Sequence, residues 1–175
     1  KLDFNYVLKI AVDAAVRISH AQVGIILLRE DDMLRVAQVI GNVPDSVLGS
    51  TLSLNQGIVG RVARNTTAEL ILDVRLDADY MPRVIETRAQ MTLPLLSQDL
   101  LIGVLSVHTP EPGQFTPEMF DFLKLLAARI ASALDNARLH QQTEQQLDEL
   151  KTLYQQVSDL EQMKTQMTRI AAHHP

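Results

Sequence analysis

The chain has 175 residues, of which 46% are hydrophobic and 21% charged, a balance typical of a folded domain. Its formal net charge of -5 argues against a nucleic-acid-binding protein, which needs a basic surface. The lack of cysteine excludes disulfides, thiolate zinc sites and cysteine nucleophiles. Since no apolar stretch is long enough to span a bilayer and no secretory signal opens the chain, we expect a cytoplasmic protein without membrane contact. The first residue is lysine rather than methionine, so we also expect a piece of a longer protein.

The first two thirds of the sequence predict a mixed α+β domain. Residues 3–19 place apolar side chains three and four apart, which predicts an amphipathic helix. Residues 22–28 and 33–40 are apolar runs joined by an acidic turn and predict a β-hairpin. The further predicted elements are a strand at 51–54, a short helix at 56–65, and strands at 68–74, 90–97 and 101–109. We therefore expect a sandwich with a central antiparallel sheet of about six strands flanked by helices.

The last third of the sequence predicts one long helix. Thr116, Pro117 and Glu118 combine a capping hydroxyl, a proline at the first helical position and an acid near the positive helix end. Glycine does not occur after Gly113, and the only proline after Pro117 is Pro175. Nothing in the composition therefore interrupts a helix that begins near Thr116.

The sequence resembles a GAF domain over residues 1–139. The glycine-bearing run Gln56–Arg64 matches the family's inner helix, and Leu70–Val74 matches the strand that follows it. The family's strand pair is matched by Leu93–Leu96 and Leu101–Val107. Its exit helix is matched by Phe115 with Thr116, by Leu123–Leu126 and by Asp135–Leu139. The resemblance implies a regulatory sensor module rather than an enzyme.

The resemblance also allows the ligand types of known GAF relatives to be weighed. Covalent bilin attachment and the chemistry of the sulfoxide-reductase relatives both require cysteine, which this chain lacks. The cyclic-nucleotide signature requires a lysine, and none lies between Lys9 and Lys124. His20 and His108 have no partner at metal-ligand spacing, so we expect them at the surface and expect neither haem nor another metal. No cofactor is evident.

The connection after residue 73 is the best candidate for a ligand site, because in GAF relatives the equivalent segment covers a pocket above the sheet. Asp73 begins this segment, Arg75 and Arg88 suit an anionic ligand group, and Tyr80 or Met81 suits an apolar one. The alternative interpretation is a solvated loop with internal ion pairs.

Residues 140–172 predict a coiled-coil signalling helix continuous with the exit helix. Eight glutamines lie between 141 and 166, and the apolar residues are spaced 3, 4 and 3 apart in two sets. The predicted seam consists of Leu147, Leu150, Tyr154, Val157, Leu160, Met163, Met167 and Ile170. The step from Val157 to Leu160 is one residue short of the heptad, which overwinds a coil locally. A long helix with only a narrow apolar stripe is not stable in isolation and needs a second helix to pair with. We therefore expect a parallel homodimer.

Residues 160–173 resemble the approach to the phosphoacceptor histidine of sensor histidine kinases, which makes His173 a candidate phosphoacceptor. Residues 173–175 would then be the truncated start of that motif, although His174 stands where the family has an acid. The resemblance does not extend to the ATP-binding domain of that family, so we expect that these 175 residues by themselves do not phosphorylate His173.

The resulting interpretation is a sensing and dimerisation module that signals along a helix to a histidine kinase. The expected partners are the kinase domain of the same protein, a response regulator and an unidentified small molecule. Two alternatives stay open. One is the input module of a nucleotide cyclase, phosphodiesterase or transcription activator, and the other is a structural dimerisation module that binds no ligand.

Overall fold

A computed structural model describes residues 3–82 and 86–173, and the chain divides into two compact units, Lys1–Ala137 and Arg138–Pro175. The elements in chain order are α1 (Phe4–Ser19), β1 (Val23–Glu30), β2 (Met33–Ile40), β3 (Thr51–Ser53), α2 (Gly57–Asn65), β4 (Glu69–Ile71), a single 3-10 turn (Val74–Leu76), β5 (Ala89–Ser97), β6 (Leu100–Thr109) and α3 (Pro117–His173).

The first unit contains a six-stranded sheet in the order β3-β2-β1-β6-β5-β4. Every neighbouring pair is antiparallel, which confirms the α+β fold and the sheet expected from the sequence. The register places Ile25 of β1 opposite Ser106 of β6, and His108 of β6 opposite Gln90 of β5. Because successive side chains of a strand point to opposite faces, this register fixes which residues share each face of the sheet.

One face of the sheet is covered by α1 and the first part of α3. Helix α1 begins at the cap residue Asp3, whose carboxylate accepts a hydrogen bond from the Asn5 amide at 3.3 Å. Helix α3 begins in the same way, because the Thr116 hydroxyl accepts from the Met119 amide at 3.2 Å. The buried helical residues that pack on this face include Leu8, Val12, Ala15, Leu123, Ala127, Ile130 and Leu134.

Helix α2 covers the opposite face of the sheet, and two glycines of the first unit permit close approaches of the backbone. A Cβ at Gly60 would lie 2.8 Å from the Leu54 carbonyl oxygen. A Cβ at Gly103 would lie 2.1 Å from the carbonyl oxygen of Leu27 on the neighbouring strand. Glycine therefore sits where backbone atoms take the space that a side chain would need.

The strand predicted at 68–74 is shorter than expected, since β4 ends at Ile71. The Asp73 carboxylate accepts from the Arg75 amide at 3.1 Å and begins a 3-10 turn. The Val74 amide donates to the Arg88 carbonyl at 2.8 Å instead of continuing the β4 ladder. The hydrogen bond of Asp73 thus starts a turn at the place where the predicted strand was expected to continue.

The second unit consists of the remainder of α3. No helix in the described ranges, 3–82 and 86–173, is long and apolar enough to cross a membrane. The predicted seam residues are all about half exposed or more in the single chain, from 48% at Val157 to 75% at Tyr154. Their pairing with a second chain stays a prediction. His174 and Pro175 lie outside the described residues, as does the side chain of His173.

Candidate functional site

A cavity of about 70 Å³ lies between α2 and the sheet. Its apolar walls come from β1, β2, β3 and α2, and include Ile25, Val36 and Ile58. Tyr80 and Met81, which follow the 3-10 turn, line it from the connecting segment. None of the lining side chains in the described part of the chain carries a fixed charge. The site is therefore suited to an occupant that is mainly apolar.

The floor of the cavity is polar and comes from alternate residues of β5 and β6. The Gln90 side-chain amide donates to the Thr92 hydroxyl at 2.8 Å. The Thr92 and Ser106 hydroxyl oxygens lie 3.1 Å apart, and the Ser106 oxygen lies 2.9 Å from Nε2 of His108. All four side chains are buried, and Gln90, Ser106 and His108 line the cavity. The strands thus hold one hydrogen-bonded chain of polar groups, the floor relay, beneath an apolar space.

His108 ends this relay with one ring nitrogen unsatisfied. The residue is only 7% exposed, and its Nδ1 atom is buried without a hydrogen-bond partner. Burial lowers the pKa of His108 from 6.5 to about 4, because a charged imidazolium would lose its hydration there. The imidazole is therefore neutral at pH 7 and can offer one donor and one acceptor.

The surface position expected for His108 is wrong, whereas His20 is exposed. The sequence signal that could have predicted a buried His108 is the alternation of residues along β6. Val104, Ser106 and His108 alternate with Leu105 and Val107, and both sets are buried. The burial of both faces of β6 extends to His108 at the end of this run.

The five residues predicted as a ligand site are divided between two places. Tyr80 and Met81 line the cavity, whereas Asp73, Arg75 and Arg88 do not. The Arg75 side chain binds the Asp73 carboxylate, with Nη2 at 2.8 Å, and this contact lowers the pKa of Asp73 to about 2. Arg88 Nη2 lies 3.8 Å from the same carboxylate. The internal ion pairs of the alternative interpretation are thus present here, and a ligand role for these three residues stays a prediction.

Arg61 of α2 fastens the segment that precedes Tyr80, and the sequence interpretation did not single it out. Its guanidinium makes five hydrogen bonds of 2.7 to 2.9 Å to Glu69, Asp77 and Asp79. These carboxylates raise the pKa of Arg61, with Asp77 making the largest contribution. We call this group the Arg61 clasp. It ties the segment that leads to Tyr80 and Met81 to helix α2, which also lines the cavity.

Potential metal ligands do not cluster within ranges 3–82 and 86–173. No group of three or more His, Cys, Asp or Glu side chains there is placed to hold a metal ion. His108, the buried histidine, has a serine hydroxyl as its neighbour rather than a second metal-ligating residue.

Comparison with known proteins assigns the chain to a family. A sequence profile of the GAF domain matches residues 1–135. The chain therefore belongs to the GAF domain family, whose members are sensing and signalling modules and are generally not catalytic.

Individual relatives agree with the fold and differ in their outputs. The GAF domain of a phosphoenolpyruvate-protein phosphotransferase from Coxiella burnetii superposes with a TM-score of 0.73 at 20% identity, over 80% of this chain and 87% of that one. The GAF domain of a two-component sensor histidine kinase from Bacillus halodurans gives 0.69 at 18% identity, over 80% and 99%.

A curated relative with a different output is the formate hydrogenlyase transcriptional activator FhlA of Escherichia coli. It is 34% identical over 73 residues, which is 39% of this chain. The match spans only 10% of FhlA, so it relates one domain and not two whole proteins.

Proposed function

We propose that this chain is the cytoplasmic input module of a signalling protein, in which a small molecule binds the cavity between α2 and the sheet. The observation that carries the proposal is the neutral His108 on the polar floor of a cavity with apolar walls, whose Nδ1 atom is buried without a hydrogen-bond partner. A buried polar group without a partner is costly, and a bound ligand is one way to satisfy it.

The cavity can be tested by thermal shift against a metabolite library, using the wild type and Val36→Phe. A ligand at 100 times its dissociation constant should add about 2.7 kcal/mol to the stability of the wild type. The phenyl ring of the variant should fill the cavity and remove the response. Val36→Ile keeps the size and character of the site nearly unchanged and is the matched control. Equal responses from Val36→Phe and Val36→Ile would place binding elsewhere.

We further propose that the chain acts as a parallel homodimer through the seam from Leu147 to Ile170. The exposed seam residues support this proposal, because each fully buried leucine or valine contributes about 1.5 to 3 kcal/mol. A dimer would also give a ligand-dependent rearrangement a route along two paired helices.

The dimer is tested by light scattering on Leu150→Asp, which places a carboxylate in the seam. We expect a monomer from this variant. Thr152→Asp introduces the same carboxylate two residues away, outside the seam, and should leave the dimer intact. A fully dimeric Leu150→Asp would show that the contact between chains lies elsewhere.

A histidine kinase is the output we favour, with His173 as the phosphoacceptor and a response regulator as the next partner. The resemblance of residues 160–173 to the phosphoacceptor region supports it. In the full-length protein, ATP should label His173, and His173→Gln should abolish the label. A labelled His173→Gln protein would move the phosphoacceptor to another residue.

The second candidate output is a transcription activator, and the 34% identity with part of FhlA favours it. The sequence that follows residue 175 in the gene discriminates between the two. An ATP-binding kinase domain supports the first output, and an AAA+ domain supports the second.

A further inference from the structure

We assign the hydrogens of the floor relay from the donors and acceptors that its four side chains offer one another. An amide nitrogen only donates, so Gln90 donates to Thr92. The Thr92 hydroxyl then gives its own hydrogen to its remaining partner, Ser106, and Ser106 gives its hydrogen to Nε2 of His108. In the reverse direction Thr92 would accept twice, and its hydrogen would have no acceptor among these groups.

The direction of the relay determines the tautomer of His108. Nε2 accepts the Ser106 hydrogen, so the single proton of the neutral ring resides on Nδ1. Nδ1 is the ring atom without a partner. The relay therefore converts His108 into a buried N–H donor that lacks an acceptor.

The residues that line the cavity limit the kind of ligand that can supply this acceptor. No lining side chain in the described ranges carries a fixed charge, so an anionic group would be buried there without a counter-charge. The two arginines predicted as ligand-binding residues, Arg75 and Arg88, lie against the Asp73 carboxylate instead. A volume of about 70 Å³ has room for roughly five water-sized groups, which sets the scale of the occupant.

We infer that the cavity selects small, uncharged ligands that are apolar over most of their surface and carry one hydrogen-bond acceptor, which His108 binds through Nδ1–H. The inference rests on the proposed function, since both concern the same cavity. It adds the chemical class of the ligand and the atom that recognises it.

The tautomer is tested without any ligand, by ¹⁵N NMR of the histidine ring in the whole chain. We expect a protonated Nδ1 and an unprotonated Nε2 for His108. Ser106→Ala removes the donor to Nε2, so the Nε2–H tautomer should gain population, whereas the exposed control Ser132→Ala should change nothing. A wild type with the proton on Nε2, or a Ser106→Ala variant with an unchanged ring, would overturn the inference.

The ligand class is tested with three probes that share one branched skeleton. They are 3-methylbutan-2-one, isobutyrate, in which a charged oxygen replaces a methyl group, and 2,3-dimethylbut-1-ene, in which CH₂ replaces the carbonyl oxygen. In NMR titrations the ketone should bind at least about tenfold more tightly than either analogue. His108→Phe should remove the preference for the ketone over the alkene.

The outcomes separate the two proposals. Isobutyrate binding as tightly as the ketone, or a ketone that does not bind up to its solubility limit, overturns the ligand class alone. The library screen with Val36→Phe decides the proposed function independently of these probes.

Discussion

Acidification between about pH 7 and pH 5 should destabilise the first unit because His108 is buried in its neutral form. The pKa of its imidazole is 6.5 in an unfolded chain and about 4 in the folded one. Between these values the unfolded state binds more protons than the native state, so stability falls as the pH falls. At about 1.4 kcal/mol per pH unit, the full difference corresponds to about 3 kcal/mol, of which about 2 kcal/mol is lost by pH 5.

The assay is urea unfolding at several pH values, followed through the amide NMR signals of β5 and β6. Remaining above about pH 5 keeps most carboxylates ionised, so the histidines dominate the slope. His108→Gln should flatten the pH dependence, whereas His20→Gln, which alters an exposed histidine, should retain it. An equal slope in the wild type and His108→Gln would refute the reasoning. Direct NMR titration of the His108 ring gives the same answer if the variant does not fold.

Two substitutions test other contacts, with urea unfolding as the measurement for both. Arg61→Leu leaves the three carboxylates of the Arg61 clasp without a counter-charge and should cost about 2 to 3 kcal/mol. The same change at Arg35, whose partner Glu30 is about half exposed, should cost less than about 1 kcal/mol, and equal costs would contradict the role of the clasp. Gly103→Ala forces a Cβ against the neighbouring strand and should cost more than about 2 kcal/mol. Gly113→Ala meets only the penalty of its φ of 83° and should cost about 1 kcal/mol, so the reverse order would contradict the packing of β6.

Much of the fold could be predicted from the sequence because local patterns control it. The apolar spacing of residues 3–19 and the capping group at Thr116 specify the two helices on one face of the sheet. The β4 strand was predicted too long because Asp73 forms a hydrogen bond to the backbone that an apolar run does not reveal. Whether a side-chain hydrogen bond replaces the backbone hydrogen bonds of a strand depends on local geometry, which hydropathy does not report.

The candidate site was less predictable because its contacts join distant parts of the chain. Tyr80 and Met81 could be placed through the resemblance to GAF domains. The floor relay depends on the register of β5 against β6, which places Thr92 opposite Ser106. A shift of one residue in that register would turn the polar side chains to the opposite face. Arg61 forms hydrogen bonds to carboxylates as far as 18 residues away in the sequence, and no local sequence pattern predicts such contacts.

The most direct test of the central claim is a methyl NMR titration of the whole chain with the library compound that stabilises it most. Ile25 and Ile58 line the cavity, whereas Ile102 and Ile130 pack on the other face of the sheet. We expect the compound to shift the methyl signals of the first pair and to leave those of the second pair in place. A library without a stabilising compound, or shifts confined to Ile102 and Ile130, would contradict a sensing cavity between α2 and the sheet.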